Sequence, residues 1–270
     1  MTNNNSQIME SEFKLPKLGW LPDLPDERDY IYKAPVKFSA PHALPSKVDL
    51  RKKCPPVFNQ GELGSCTANA LLAAVECCKK KQGQKTKRLS RLFLYYNERV
   101  MINTVMSDSG AYLRDGVKSL NKQGVCLESE WRYSSSTKPG AKFTKKPTKK
   151  CYESALNNQI LSYWRISPNI QDIRSCLADG YPFVFGFSVY SSFMSNEVYK
   201  TGIMPMPQPG ESMLGGHAVM AAGYDDERKM LLVRNSWGKD WGENGYFWMP
   251  YEYITNTRNC SDFWTIREVE

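Results

Sequence analysis

The spacing of apolar residues changes character twice along the chain. In residues 1–47 the anchors Trp20, Tyr30, Tyr32 and Phe38 stand singly among the prolines at 16, 22, 25, 35, 41 and 45. Proline fixes φ and removes a backbone donor, which excludes a long helix or a central strand here. Disordered segments seldom carry this many aromatics, so 13–38 reads as an extended arm packed by its rings, and 1–12 as a loose tail. Residues 67–78 (TANALLAAVECC) are apolar nearly all round and predict a buried helix. Further helices are predicted in 89–105 and 112–123, and a Ser/Lys/Pro-rich loop between 134 and 150. Beyond 160 the pattern becomes short β-type runs, at 182–190, 217–224, 230–235, 245–249 and 263–267, punctuated by Gly, Pro and Asp. Helices first and strands second predict an α+β chain in two lobes. The expected divisions are an arm at 1–47, a helical lobe at 48–160 and a strand-rich lobe at 161–270.

Charge modifies this picture little. The formal charge is +8, yet residues 79–91 hold seven basic residues and 138–150 hold six, with no acid in either. Without those thirteen charges the remainder is −5. Neither stretch interleaves aromatics suited to base stacking, so both read as solvated surface and no specific nucleic-acid partner is expected. No apolar run reaches the roughly 18 residues that a membrane span needs. The N-terminus lacks a basic region followed by an apolar one, so no secretory signal is expected and synthesis is placed in the cytosol. Eight cysteines in 270 residues, none in a C-x-x-C, are too few for a disulfide scaffold, and the adjacent Cys77 and Cys78 read as core filling. Two histidines, His42 and His217, exclude a multi-histidine metal site within one chain. No metal or other cofactor is expected.

The remaining chemistry converges on one cysteine. Residues 57–70 read VFNQGELGSCTANA, which puts Cys66 in the first turn of the buried helix. Unpaired N–H groups and the positive dipole end there favour a thiolate, the nucleophilic form. Gln60 offers an amide N–H that, with the backbone N–H of Cys66, suits an oxyanion. His42 lies in a proline-bounded loop. His217 opens an apolar strand behind two glycines (GGHAVMAAGY) and is the better activating base. Asn235, in VRNSWGKDWGENGY, ends a strand and suits the role of imidazole orienter, with Trp237 as a shield for that hydrogen bond.

The three segments NQGELGSC, GGHAVMAAGY and VRNSWGKDWGENGY, in that order and with Cys66, His217 and Asn235 separated by 151 and 18 residues, resemble the papain family of cysteine peptidases. The resemblance covers about 44–270. It implies a papain-like fold, a helical left lobe and a β-barrel right lobe with the active-site cleft between them. It also implies peptide hydrolysis through a thioester, with Cys66 as nucleophile, His217 as acid–base, Asn235 as orienter and Gln60 as oxyanion donor. Gly110 and Ala111 are the implied edge for substrate backbone. Tyr112, Gly186 and Gly215 are the implied pocket lining, and Gly216 and Trp237 further substrate contacts.

The departures carry information of their own. The family's usual tryptophan after the nucleophile is Thr67. Its cysteine three residues before the nucleophile is Leu63, and the matching C-x-G-G partner segment is Asp108-Ser109-Gly110-Ala111, so that cross-link is lost as a unit. The arm is too short for the family's helical prodomain and resembles the short leaders of bacterial and giant-virus cathepsin B-like members. With two histidines there is no histidine-bearing loop to make an exopeptidase. The expectation is an endopeptidase made as a zymogen, its own arm blocking the cleft, acting on polypeptides; packaging in a virion stays open. An acyltransferase on the same fold and an inactive homologue used for binding are the alternatives.

Overall fold

The computed structural model describes residues 16–38 and 44–270. The tail at 1–12 and His42 lie outside the described residues. The elements in chain order are β1 (Trp20–Leu21), β2 (Lys47–Asp49), α1 (Cys66–Lys81), α2 (Arg91–Met101), β3 (Ala111–Tyr112), α3 (Leu113–Lys122), α4 (Lys149–Ala155), β4 (Ile160–Arg165), α5 (Ile170–Ala178), β5 (Phe183–Tyr190), α6 (Asn196–Thr201), β6 (Met213–Asp225), β7 (Met230–Arg234), β8 (Tyr246–Pro250), α7 (Tyr251–Ile254) and β9 (Cys260–Val269).

The three long helices form where the apolar period predicts them. α1 is buried from Cys66 to Lys79, as an all-apolar surface requires. α2 begins at Ser90, whose hydroxyl accepts the Phe93 N–H at 3.1 Å. α5 was not expected, although Ile170, Ile173 and Leu177 stand at helical spacing; it spans nine residues, and the Asn169 cap accepting from the Asp172 N–H marks its start. α4 falls at the end of the stretch read as loop, capped by Thr148. β4 (ILSYWR) also escaped notice, because only its first residue is buried and no clean alternation results.

Six strands follow the order β4-β9-β5-β6-β7-β8, antiparallel throughout, with β2 added alongside β6. The α+β class is as expected, but the β-barrel is not closed: among the described residues no pairing joins β4 to β8. Each outer edge instead takes a single bridge, Ile31 of the arm beside Arg165 and Ile203 beside Trp248. Edges covered in this way no longer need each other.

Both faces of the sheet are buried, and β5 shows how. Phe183, Phe185 and Phe187 point to a strand-side core with Val219, Leu231, Val233 and Phe247. Val184 points the other way, into a core built from α1, α2 and α3. Alternation with period two puts Gly186 on that second face too. It lies at the groove where helices and sheet part, which is where the arm runs.

Candidate active site

Cys66 is the first residue of α1 and is fully buried. The loop before it is held by Asp108, whose carboxylate accepts the Gly64 N–H at 3.1 Å on each oxygen and the Tyr95 hydroxyl at 2.5 Å. Asp108 opens the segment that the resemblance matches to the family's C-x-G-G, and its hydrogen bonds tie that segment to the loop before Cys66.

His217 lies on β6, beside Phe187 of β5, and is fully buried. Its Nε2 is 2.8 Å from Asn235 Oδ1, which also accepts the Ser236 backbone N–H at 2.8 Å. That second donor fixes the Asn235 atom as oxygen, so Nε2 carries the proton and donates. Nδ1 is left as a bare acceptor, without a hydrogen-bond partner among the described residues. Trp237 stacks on the imidazole, centroids 4.8 Å apart and planes inclined by 28°. It shields the Nε2 bond from water.

Gln60 is aimed by a residue that the sequence reading passed over. Its Oε1 accepts the Ser236 hydroxyl at 2.6 Å, while its backbone N–H donates to Ser236 O at 2.8 Å. The amide nitrogen is thereby turned to the groove, where it donates to Leu63 O and to Lys17 O of the arm, each at 3.0 Å. The position of Ser236 immediately after Asn235 is the one signal that could have marked it.

The arm fills the groove across this cluster. Ala111 N–H donates to Gly19 O at 2.8 Å, and Trp20-Leu21 pairs in parallel with Ala111-Tyr112. A Cβ on Gly19 would lie 2.0 Å from Gly64 O, so only glycine passes there. The Trp20 indole lies over Gly186, where a Cβ would come within 1.8 Å of the ring, and beside Gly216. Its Nε1 donates to Asp262 Oδ2 at 3.1 Å. Of the residues expected to meet substrate, Gly110, Ala111, Tyr112, Gly215 and Gly216 all border the arm, whereas Trp237 packs on His217 instead. Asp262 was missed because a lone aspartate at the start of an apolar strand looks like a turn residue; its φ of 60° is unusual for a non-glycine.

Burial under the arm sets the charge state. Desolvation pushes the Cys66 thiol up to about 12, against the pull of backbone hydrogen bonds from Ala218, Gly19 and Thr67. Desolvation also lowers His217 to about 4, partly offset by Asn235. Between those values both groups are neutral while the arm is in place.

A family profile described as papain family cysteine protease matches residues 44–262. The chain belongs to the papain family. It is 41% identical over 274 residues to an uncharacterized peptidase C1-like protein of Acanthamoeba polyphaga mimivirus, covering 93% of this chain and 86% of that one. It is similar to the crystal structure of xylellain, a cysteine protease from Xylella fastidiosa, at a TM-score of 0.88 and 46% identity, with 94% and 96% of the two chains covered. A procathepsin B from Trypanosoma congolense shares the fold at a TM-score of 0.74, with 16% identity and 94% and 86% covered. Membership of the papain family carries likeness to both a giant-virus and a bacterial protein. It makes this chain a thiol protease acting on polypeptides. No helix among the described residues is long and apolar enough to cross a membrane.

Proposed function

We propose that this papain-family protease is an endopeptidase made as a zymogen, with Cys66, His217, Asn235 and Gln60 as its catalytic set. The arm at 1–47 precedes a helical lobe at 48–160 and a strand-rich lobe at 161–270. The observation that carries the reading is the proton arrangement of His217. Asn235 Oδ1 accepts a hydrogen bond from the Nε2–H, so the bare Nδ1 is the atom free to receive the proton of a thiol.

When the arm leaves, water returns to the groove and the desolvation that keeps both groups neutral is relieved. The Cys66 proton passes to His217 Nδ1. The thiolate then attacks the peptide carbonyl carbon, and the carbonyl oxygen becomes the oxyanion. Gln60 Nε2–H and the Cys66 N–H stabilise it. The position of Lys17 O on Gln60 Nε2 supports this role, because an arm carbonyl already uses that donor. Collapse breaks the C–N bond, and His217 gives its proton to the departing amine. Water, losing a proton to His217, adds to the thioester and releases the acid and Cys66.

Latency is read from the same contacts. The arm sits over Cys66 with its Gly19 backbone, blocks the amide of Gln60 and fills the pocket under Gly186 with Trp20. Activation by cleavage within 38–48 removes this cover; 39–43 lie outside the described residues. Hydrolysis of a fluorogenic peptide by the processed protein tests the assignment. Cys66→Ala is expected to abolish turnover, and undiminished turnover in that variant refutes the catalytic role. Mass and N-terminal sequencing of the active species tests the zymogen, and full activity of the uncut chain counts against it.

A further inference from the structure

Next to the nucleophile stands a buried acid that the reaction scheme does not use. Glu98 of α2 is fully buried, and its Oε2 accepts the Thr67 hydroxyl at 2.8 Å. Its Oε1 has no hydrogen-bond partner among the described residues. Gly116 of α3 makes the room: a Cβ there would come within 2.4 Å of Oε1. Thr67 directly follows Cys66 and is likewise fully buried.

The first turn of α1 needs such a tether. Ser65 precedes the helix without making a side-chain cap. Its hydroxyl is instead engaged with the Tyr133 hydroxyl at 2.5 Å. Asn69, one turn on, donates to Ser65 O and Oγ at 2.9 and 3.1 Å and accepts from Arg91 of α2 at 3.0 Å; the residue adjoining Cys66 itself reaches α2 through the Thr67–Glu98 bond. We propose that the Thr67–Glu98 pair is the positioning device of the nucleophile, fixing the first turn of α1, and with it the Cys66 sulfur, against α2. The proposal rests on Cys66 being the nucleophile.

The charge state of Glu98 matters as much as its place. The groups that bear on it are Thr67 and Cys66 from α1, Arg99 on its own helix and Asp115 from α3. Burial raises its carboxyl well above the usual range; Thr67 and Arg99 oppose this and Asp115 adds to it. The Arg99 guanidinium is turned away, donating to the carbonyls of Tyr95, Val105, Ser107 and Phe143. Burial thus biases Glu98 toward its neutral form. Its ionisation would place a buried anion beside the nucleophile and push the Cys66 thiol up.

The test is steady-state peptide hydrolysis by full-length protein allowed to activate. Titration with a thiol-directed peptidyl epoxide counts competent sites, so that misfolded molecules drop out of kcat. Thr67→Val keeps the shape and removes the donor; its kcat is expected to fall about tenfold with KM within about twofold. Glu98→Gln keeps an acceptor for Thr67. It is expected to keep kcat within about twofold of the parent, whereas Glu98→Leu, which offers Thr67 no acceptor, is expected to lose about tenfold in kcat with KM within about twofold. A wild-type kcat in Thr67→Val or Glu98→Leu, or a Glu98→Gln as impaired as Glu98→Leu, overturns the proposal. A parent protein that turns over no peptide overturns the catalytic reading itself instead.

Discussion

Replacing Asp23 by asparagine tests how the arm is held. Asp23 belongs to the arm, and its side chain is completely enclosed. Oδ1 accepts the Arg114 backbone N–H at 3.2 Å and Oδ2 the Trp264 Nε1–H at 3.1 Å. Its own N–H donates to Asp262 Oδ2 at 2.8 Å, which draws a second carboxylate close. Arg165 bridges the group, 2.9 Å from Asp262, 3.0 Å from Asp29 and 3.7 Å from Asp23. Burial first, and the Asp262 charge second, raise the Asp23 carboxyl from 3.8 to about 6, against the pull of Trp264 and Arg114. A released arm returns Asp23 to water and to its ordinary value.

The sign follows from linkage. A carboxyl whose pKa is higher in the docked state favours docking when protonated, so the arm is held most tightly below about pH 4. That advantage is lost as pH rises from about 4 to about 6 and stays lost above. Two pK units correspond to about 3 kcal/mol, or about a hundredfold in the docked-to-open ratio. The arm should therefore open more readily at neutral than at acid pH. Cys66→Ala protein, which cannot process itself, permits the measurement. The Ala111 N–H, bonded to Gly19 O in the docked state, reports opening by hydrogen exchange corrected for its intrinsic rate. Protection should fall about a hundredfold between pH 4 and pH 7, and remain flat within about threefold once Asp23→Asn is added. Protection that rises with pH, or the same fall in the asparagine variant, would refute the account.

Three further outcomes follow from other contacts. Gly19→Ala puts a methyl 2.0 Å from the Gly64 carbonyl, so uncut protein should hydrolyse peptide at least about tenfold faster than the parent; unchanged latency would show that the arm passes elsewhere. Asn235→Ala strips the buried His217 Nε2–H of its acceptor, which should lower kcat by about 10- to 100-fold with little change in KM, whereas a change confined to KM would contradict an orienting role. Asp108→Ala removes the acceptor shared by Gly64 and Tyr95 and should lower stability by about 2–4 kcal/mol in urea unfolding; a loss below about 0.5 kcal/mol would show that these bonds do not tie the two segments together.

How far the sequence could be read depended on whether a signal was local. α1 was visible because nine of the twelve residues 67–78 are apolar and they lie nearly all round the helix, and the strands from 182 onward because β-branched and aromatic runs are short and punctuated. β4 was not, since its exposure pattern is set by β9 on one side and the arm on the other rather than by its own alternation. The closed barrel was expected from resemblance alone. Sheet closure depends on what covers the edges, and Ile31 and Ile203 do so from far along the chain.

By itself, the sequence determined which groups stand as candidates for the site. A cysteine at a helix start, one eligible histidine and an asparagine eighteen residues on leave little choice, because each role needs a particular functional group. Tertiary structure decided what surrounds them. Ser236 aims Gln60, Asp108 ties its segment to the loop before Cys66, Asp262 meets the arm's tryptophan, and Glu98 backs the residue after the nucleophile. None of these has a motif of its own. Each depends on contacts across 31 to 242 residues, and a side chain's burial and charge state exist only once those contacts are made.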